Sequence, residues 1–325
     1  MKAALRSAFV LLLAVASLSG CSKVDKTTNP GSSSGSAEDR AQVANQLASN
    51  PQYVDDGLSE SGDETPLSES STSTTISEAV MNAIQPLRFF RRIDHVTRSF
   101  EFAFSDSDST GRPTRAVVTV NKTLTGTFNI LFAAPGDSAF RLHVVRKPLE
   151  DHWVRKILLF RGPRRDDDED HDGDHDGDHD GRDGSWHIVG LSGVRVTSAN
   201  ATTHIVSLRI QASAFDTTVT DPLAFFRVRR VLHFDAPDSV TLTVTTLRND
   251  DVVVLQHRDR KFRLHNNGDN SYTGVFRARF LGSVQHAGVN ALSHGTLYDD
   301  ADPYDSDAWL TPYVAAPRGV AVNLP

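Results

Sequence analysis

The sequence predicts an all-β protein: an N-terminal antiparallel sheet or barrel-like domain with one short helix, followed by a β-sandwich. Three observations predict it. From Phe100 onward, apolar and polar residues alternate with a period of two rather than 3.6. The alternating runs are short and recur at roughly 8 to 12 residue spacing. Asn, Asp and Gly clusters separate them, and the strand–helix alternation of a doubly wound sheet is missing. At 325 residues with 38% hydrophobic side chains, the chain can build two ordinary domains. The composition places them at 76–212 and 213–325.

The first twenty residues run from a basic start (Lys2, Arg6) through an apolar stretch (Ala8 to Ala16) to Leu18-Ser19-Gly20-Cys21, the order of an export signal. No other run approaches the roughly 20 apolar residues a membrane span needs, which excludes polytopic folds. Cys21 is the one cysteine, so an internal disulfide framework and a cysteine-based zinc cluster are excluded too. Leu18-Ser19-Gly20-Cys21 resembles the lipobox of bacterial lipoproteins. That resemblance implies removal of residues 1–20, a thioether lipid on Cys21, and a membrane anchor that does not span. Ser22, in place of Asp after the cysteine, implies passage to the outer membrane. The alternative is an ordinary secretory signal with an incidental cysteine.

Residues 21–75 read as a disordered tether. Ser, Thr, Gly, Asp, Glu, Asn and Pro dominate, and Tyr53 is the one aromatic side chain, too little apolar surface to offset ordering entropy. A flexible chain of that length has a root-mean-square reach on the order of 40 Å. Gly31-Ser32-Ser33-Ser34-Gly35 formally fits G-x-S-x-G, but a nucleophile elbow needs a strand before it and a helix after it.

Ile76, Val80, Ile84 and Leu87 recur at helical spacing and predict one short helix opening the fold, interrupted at Pro86. Strands follow on Phe100, Phe102 and Phe104; Ala116, Val118 and Val120; Gly126, Phe128, Ile130 and Phe132; and Leu142 and Val144. Val154 to Phe160 and Trp186 to Leu191 flank an acidic run and make 164–184 the loop of a hairpin. Val194 to Ala212 adds at least one more strand. In the second half Val240, Leu242 and Val244 alternate with Thr241, Thr243 and Thr245, and Arg248-Asn249-Asp250-Asp251 turns the chain into Val252 to Leu255. Asn266 to Asn270 is a further turn, before Tyr272 to Leu281.

Asn267-Gly268-Asp269-Asn270-Ser271-Tyr272-Thr273-Gly274, with Leu297-Tyr298-Asp299-Asp300 and Trp309-Leu310-Thr311-Pro312-Tyr313, resembles the C-terminal immunoglobulin-like domain of uncharacterised bacterial envelope lipoproteins. The likeness covers Pro222 to Val314 and implies an immunoglobulin-like β-sandwich.

The net charge of −7 is unevenly placed. Residues 164–183 carry eleven acidic and three basic side chains, and residues 22–75 carry nine and three. The remainder is mildly basic without clustering, which excludes the basic stripe of a nucleic-acid binder. Within the acidic run an Asp-His-Asp-Gly unit repeats. Counted from Asp172, carboxylates fall at loop positions 1, 3, 5 and 7 (Asp172, Asp174, Asp176, Asp178), Gly177 at 6, Asp180 at 9 and Asp183 at 12. This is the residue pattern of a calcium loop with Asp replacing the closing Glu, set between strands rather than helices. His171, His175 and His179 add imidazoles suited to another divalent cation. The alternative is a solvated loop with no ordered ligand. A second cluster, Asp299, Asp300, Asp302, Asp305 and Asp307, lies near His286 and His294; with Pro303 and the turn residues around it, it reads as a surface loop, and a cation site between the last two strands is the alternative.

No catalytic motif emerges. H-E-x-x-H and a phosphate-binding glycine loop are absent from the sequence. Arg227, Arg229, Arg230, Arg258, Arg260, Lys261 and Arg263 read as the solvated face of a sheet, or as a patch for acidic glycans or phospholipid headgroups. Two functions are expected from the whole. One is an anchored envelope lipoprotein that binds or scaffolds an envelope protein or glycan, with calcium or another divalent cation at the acidic loop. The other is an envelope hydrolase with its site in 76–212, built from residues such as His95, His143 or His152.

Overall fold

The computed structural model describes residues 35–57, 65–66, 84, 86–133, 142–162, 184–213, 215–227, 232–257, 260–280 and 284–317. Two helices, α1 (Ala37–Ser49) and α2 (Pro51–Val54), come first. Then follow β1 (Thr65–Pro66), β2 (Pro86–Ser107), β3 (Pro113–Ala133), β4 (Leu142–Arg161), β5 (Trp186–Ser198), β6 (Ile205–Ala212), β7 (Phe215–Val219), β8 (Phe225–Arg227) and β9 (Leu232–Asp235). The remaining elements are β10 (Ser239–Thr246), β11 (Val252–His257), β12 (Arg260–Arg263), β13 (His265–Asn266), β14 (Ser271–Arg277), β15 (Gln285–Leu292), α3 (His294–Tyr298) and β16 (Ser306–Ala316). The all-β class is observed, in large antiparallel sheets.

Among the described residues, eleven strands form one sheet in the order β1-β2-β3-β4-β5-β16-β15-β11-β12, with β8 added to β5 and β9 running parallel to β16. Its backbone is the meander β2-β3-β4, strands of 22, 21 and 20 residues. The sheet rolls until β1, at one end of the order, touches β12, at the other. The reason is visible in β3. Ala116, Val118, Val120, Leu124, Phe128 and Ile130 are all buried, so one face along the whole strand has to be covered.

Two clusters fill the inside of the roll. One joins Phe104, Val118, Trp153, Ile157, Trp186 and Val194 to Val43 and Leu47 of α1 and Tyr53 and Val54 of α2. The other joins Phe89, Phe128, Ile130 and Leu149 to Val252, Val254 and Leu292 on the opposite wall and to Leu297 and Tyr304 around α3. A third core lies outside the roll, where the five-stranded sheet β13-β14-β10-β6-β7 packs on β11, β15 and β16 as a sandwich. Val240, Leu242, Val244, Tyr272 and Phe276 meet Val253, Leu255, Val289, Trp309 and Tyr313 there. Each such side chain contributes on the order of 1.5–3 kcal/mol when fully buried. β15 therefore serves two cores, with Ala287, Val289 and Ala291 in the sandwich and Leu292 in the roll.

Three expectations change. First, residues 36–54, which composition assigns to a disordered tether, are folded against the sheet. Ser36 caps α1 in a reciprocal box with Asp39: the Asp39 amide donates to Ser36 Oγ at 3.0 Å, and the Ser36 amide to Asp39 Oδ2 at 3.0 Å. Val43 and Leu47, four residues apart, then face the roll. Few large apolar residues are present in 36–54, but their spacing lets Val43, Leu47, Tyr53 and Val54 all reach the core. Second, Leu87, the last residue of the expected helical spacing, stands in β2, which begins at Pro86; residues 76–83 lie outside the described ones. Pro86 lacks an N–H and suits a strand's first residue, and Phe89 pairs with Ile130 in the β2–β3 ladder. Third, the expected division at 212/213 does not separate two sheets. β16, near the C-terminus, is hydrogen-bonded to β5 through Asp307↔Thr197, Ala308↔Val196, Trp309↔Arg195 and Leu310↔Val194.

Candidate functional site

The most unusual chemistry lies inside the roll, where charged side chains stand in the same rows as the core. Along β4 every second residue from Leu149 to Leu159 points inward, and that set includes Asp151 and Arg155, both with no exposed surface. Lys122 joins them from β3. The α2 end supplies their counter-charges. Lys122 Nζ and Arg98 Nη2 each donate to Asp55 Oδ1 at 2.7 Å. Trp153 Nε1 donates to Asp56 Oδ2 at 2.5 Å, and Lys122 Nζ lies 4.5 Å from the centre of the Trp153 ring.

Arg155 ties three elements together. Its Nη1 donates to the Tyr53 carbonyl at 3.0 Å, its Nε to the Ser192 carbonyl at 3.4 Å, and its Nη2 to Nε2 of His286, across the roll, at 2.8 Å. A guanidinium has no acceptor, so His286 Nε2 is the unprotonated nitrogen and the imidazole is neutral. Burial, together with the Arg155 charge and against the pull of Asp56, lowers the His286 pKa to about 3. Burial also lowers Arg155 to about 10, with Asp56 and Asp55 opposing.

Toward α3 a second group forms. Arg91 Nη1 donates to Asp151 Oδ2 at 3.1 Å, Tyr304 OH to the same oxygen at 3.4 Å, and Ser306 Oγ to Tyr304 OH at 2.8 Å. Burial raises the Asp151 carboxyl, opposed by Arg91, and also raises the Tyr304 phenol. Lys147 directs its ammonium at three backbone carbonyls, Gly295 at 3.0 Å, Asp299 at 2.5 Å and Asp302 at 2.7 Å, and closes the loop around α3. Burial lowers its pKa, with Asp302, Asp299 and Asp300 opposing.

The expected site residues are distributed as follows. Cys21 and the acidic run with Asp172, Asp174, Asp176, Asp178, Asp180 and Asp183 lie outside the described residues. The hairpin that carries the run is present, with β4 and β5 paired antiparallel down to Arg161↔Trp186. The second acidic cluster is partly interior rather than a surface loop. Asp305 Oδ1 accepts from the Thr202 and Thr203 amides at 2.9 and 3.2 Å, and Asp307 Oδ2 accepts from the Ile205 amide at 3.0 Å and pairs with Arg195 at 3.3 Å. These carboxylates brace the turn between β5 and β6. Among the described residues, no group of three or more His, Cys, Asp or Glu is placed to hold a metal ion.

The three histidines do not converge. His95 pairs with Thr125 and His152 with Thr123, on the solvent face of the meander, and His152 lies 3.6 Å from Glu150. His143 pairs with Phe132 on the other face and packs against its ring at a tilt of 31°, with centroids 5.4 Å apart. Of the basic patch, Arg263 on β12 donates to Tyr298 OH at 3.2 Å; Arg229, Arg230 and Arg258 lie outside the described residues.

Sequence reasoning missed Asp151 and Arg155, and the pairing of His286 with Arg155, because a charge within an alternating strand is ordinarily assigned to solvent. One signal was present. Trp153 stands between Asp151 and Arg155 in the same alternation, so the phase that buries the tryptophan also buries both charges. Between the two sheets of the sandwich, Leu208, Ile210, Leu232, Phe234, Leu242, Phe276 and Tyr313 line a gap with room for about one water, a packing defect rather than a ligand cavity. Among the described residues, no helix is long and apolar enough to cross a membrane. No family model, curated protein or solved structure matches the chain.

Proposed function

We propose that the protein is a bacterial envelope lipoprotein, exported on residues 1–20, lipidated at Cys21 and held at the outer membrane. Its β-body works as a binding or scaffolding module for an envelope protein or glycan. The observation that carries this reading against the hydrolase is the condition of the buried polar groups. Arg155, Lys122, Trp153 and Lys147 donate to Asp55, Asp56, His286 and backbone carbonyls, and Tyr304 and Arg91 to Asp151. Groups bound to one another in this way brace a wall, whereas a reaction site needs polar groups converging on an accessible space. The sandwich half is read as immunoglobulin-like. Gly268 (φ 87°) and Asn270 (φ 65°) shape the turn that carries the likeness, and Tyr272 behind it is buried in the core.

Metabolic palmitate labelling tests the anchor: the mature product carries label and begins at Cys21, and an unlabelled product, or one beginning elsewhere, ends this reading. The acidic run is proposed to take up calcium or another divalent cation. Calorimetric titration of the full chain should show saturable calcium uptake that disappears when residues 166–183 are replaced by a short Gly-Ser turn. No heat at millimolar calcium rejects the calcium loop.

A further inference from the structure

The lipid reading above leaves open which part of the body meets the bilayer. Chain length narrows it. Fourteen residues lead from Cys21 to Gly35, the first described residue. Whatever path they take, their contour is at most about 50 Å, and a flexible chain of that length has a root-mean-square reach of roughly 20 Å. Gly35 is held at one end of the rolled sheet. It lies so close to the Phe104 ring that a Cβ would stand 2.5 Å from it, and Asp39, four residues on, forms an ion pair with Arg161, the last residue of β4. Phe104 pairs with Ala116, and sixteen residues along the same strand Phe132 marks the far end, about 53 Å away at the rise of a strand. The far end therefore lies at or beyond the roughly 50 Å that fourteen residues can span even when fully extended.

The near end also has the chemistry of a lipid–water boundary. Arg115, Phe160 and His187 form one cross-strand row over β3, β4 and β5. Phe160 is 41% exposed in the middle of it, an aromatic ring flanked by two basic side chains. Aromatic rings favour the headgroup level, and basic side chains beside them reach phosphates. We propose that this end, from Gly35 and Arg161 to the row Arg115, Phe160 and His187, is the bilayer-facing surface, with Phe160 entering the headgroup layer. The proposal rests on lipidation of Cys21. The acidic run leaves the same end, between Gly162 and Gly184, so vesicles without net charge are the appropriate probe.

The lone native thiol is consumed by the lipid, so an introduced cysteine is uniquely addressable in the lipidated full chain. A fluorophore is attached at Thr110→Cys, in the exposed turn between β2 and β3, or at Arg146→Cys, near the far end of β4. The protein is incorporated into phosphatidylcholine vesicles that carry a headgroup-level quencher. Quenching at position 110 should exceed that at 146 at least threefold, and Phe160→Ser should reduce it while leaving the protein vesicle-bound. Equal quenching at the two positions, or the reverse order, overturns the orientation and leaves the anchor standing. Failure to bind vesicles together with a labelable Cys21 thiol overturns both.

Discussion

Nη2 of Arg155 lies 2.8 Å from Nε2 of His286, and this bond links β4 to β15 across the interior of the rolled sheet. A neutral imidazole is required there, because a protonated ring would present a donor to a guanidinium. The consequence for stability follows from linkage. The unfolded chain takes up the histidine proton near pH 6.5 and the folded chain only near pH 3. Stability from this group is thus complete above pH 6.5 and is lost as pH falls toward 3, by about 2 kcal/mol at pH 5. NMR of the imidazole nitrogens should show no titration of His286 between pH 4.5 and 8. His286→Leu should cost about 1–3 kcal/mol in urea denaturation at pH 7, by leaving an Arg155 N–H without an acceptor.

Asp251 acts with the opposite sign. Burial raises its carboxyl to about 6, with Thr246 and Arg248 opposing, so the folded state holds the proton that the unfolded state releases near pH 4. Its contribution is fully present at low pH and is lost as pH rises from about 4 to 6. Asp251→Asn should therefore make the slope of stability with pH more positive in that window, by up to about 1.4 kcal/mol per pH unit. An unchanged slope in denaturation curves at pH 4, 5 and 6 would exclude this role.

Lys147→Met keeps most of the side chain's volume and removes the ammonium that closes the α3 loop. With the Gly295, Asp299 and Asp302 carbonyls left without this donor, a loss of about 3 kcal/mol is expected. Hydrogen exchange should localise the effect, with amides of 293–302 losing protection before those of β3. Uniform loss over the whole chain would contradict a local closure.

Gly126 tolerates no side chain. A Cβ there would stand 1.9 Å from the Arg92 carbonyl oxygen, beside the bulge between Ile93 and His95. Gly126→Ala should destabilise by roughly 3 kcal/mol, because the obstacle is backbone and cannot rotate away. Gly57→Ala is the comparison: its φ of 68° disfavours alanine, but nothing lies within 4 Å, and a loss of about 1 kcal/mol is expected. Thermal melts of the two variants should differ in that order.

The sequence made the strands legible wherever one face alone is buried. Val240, Leu242 and Val244 against Thr241, Thr243 and Thr245 predict β10, and the Asn and Gly residues of 266–270 predict the turn before β14. It was less legible where tertiary pairing overrides local pattern. The helical spacing of Ile84 and Leu87 means nothing once β3 pairs with β2 from Pro86 onward and the Tyr298 carbonyl takes the Ile84 amide. α1 was hidden by its composition, since Val43 and Leu47 suffice only because an apolar interior is waiting for them. The interior charges were hidden for the same reason. Arg155 and Lys122 are acceptable inside only with Asp55, Asp56 and His286 supplied by segments distant in the chain, and no local window contains both halves.

The placement of β16 has one last consequence. Its Leu310 and Val314 enter the roll while Trp309 and Tyr313 enter the sandwich, and its backbone is bonded to β5 on one side and β15 on the other. A chain cut between β6 and β7 would leave two incomplete pieces: the first without β16, β15, β11 and β12 of the roll, the second without β5 beside β16 and without β6, which stands between β10 and β7 in the five-stranded sheet. Neither piece should hold its shape alone, yet mixed together they should find each other and rebuild a single body, melting once.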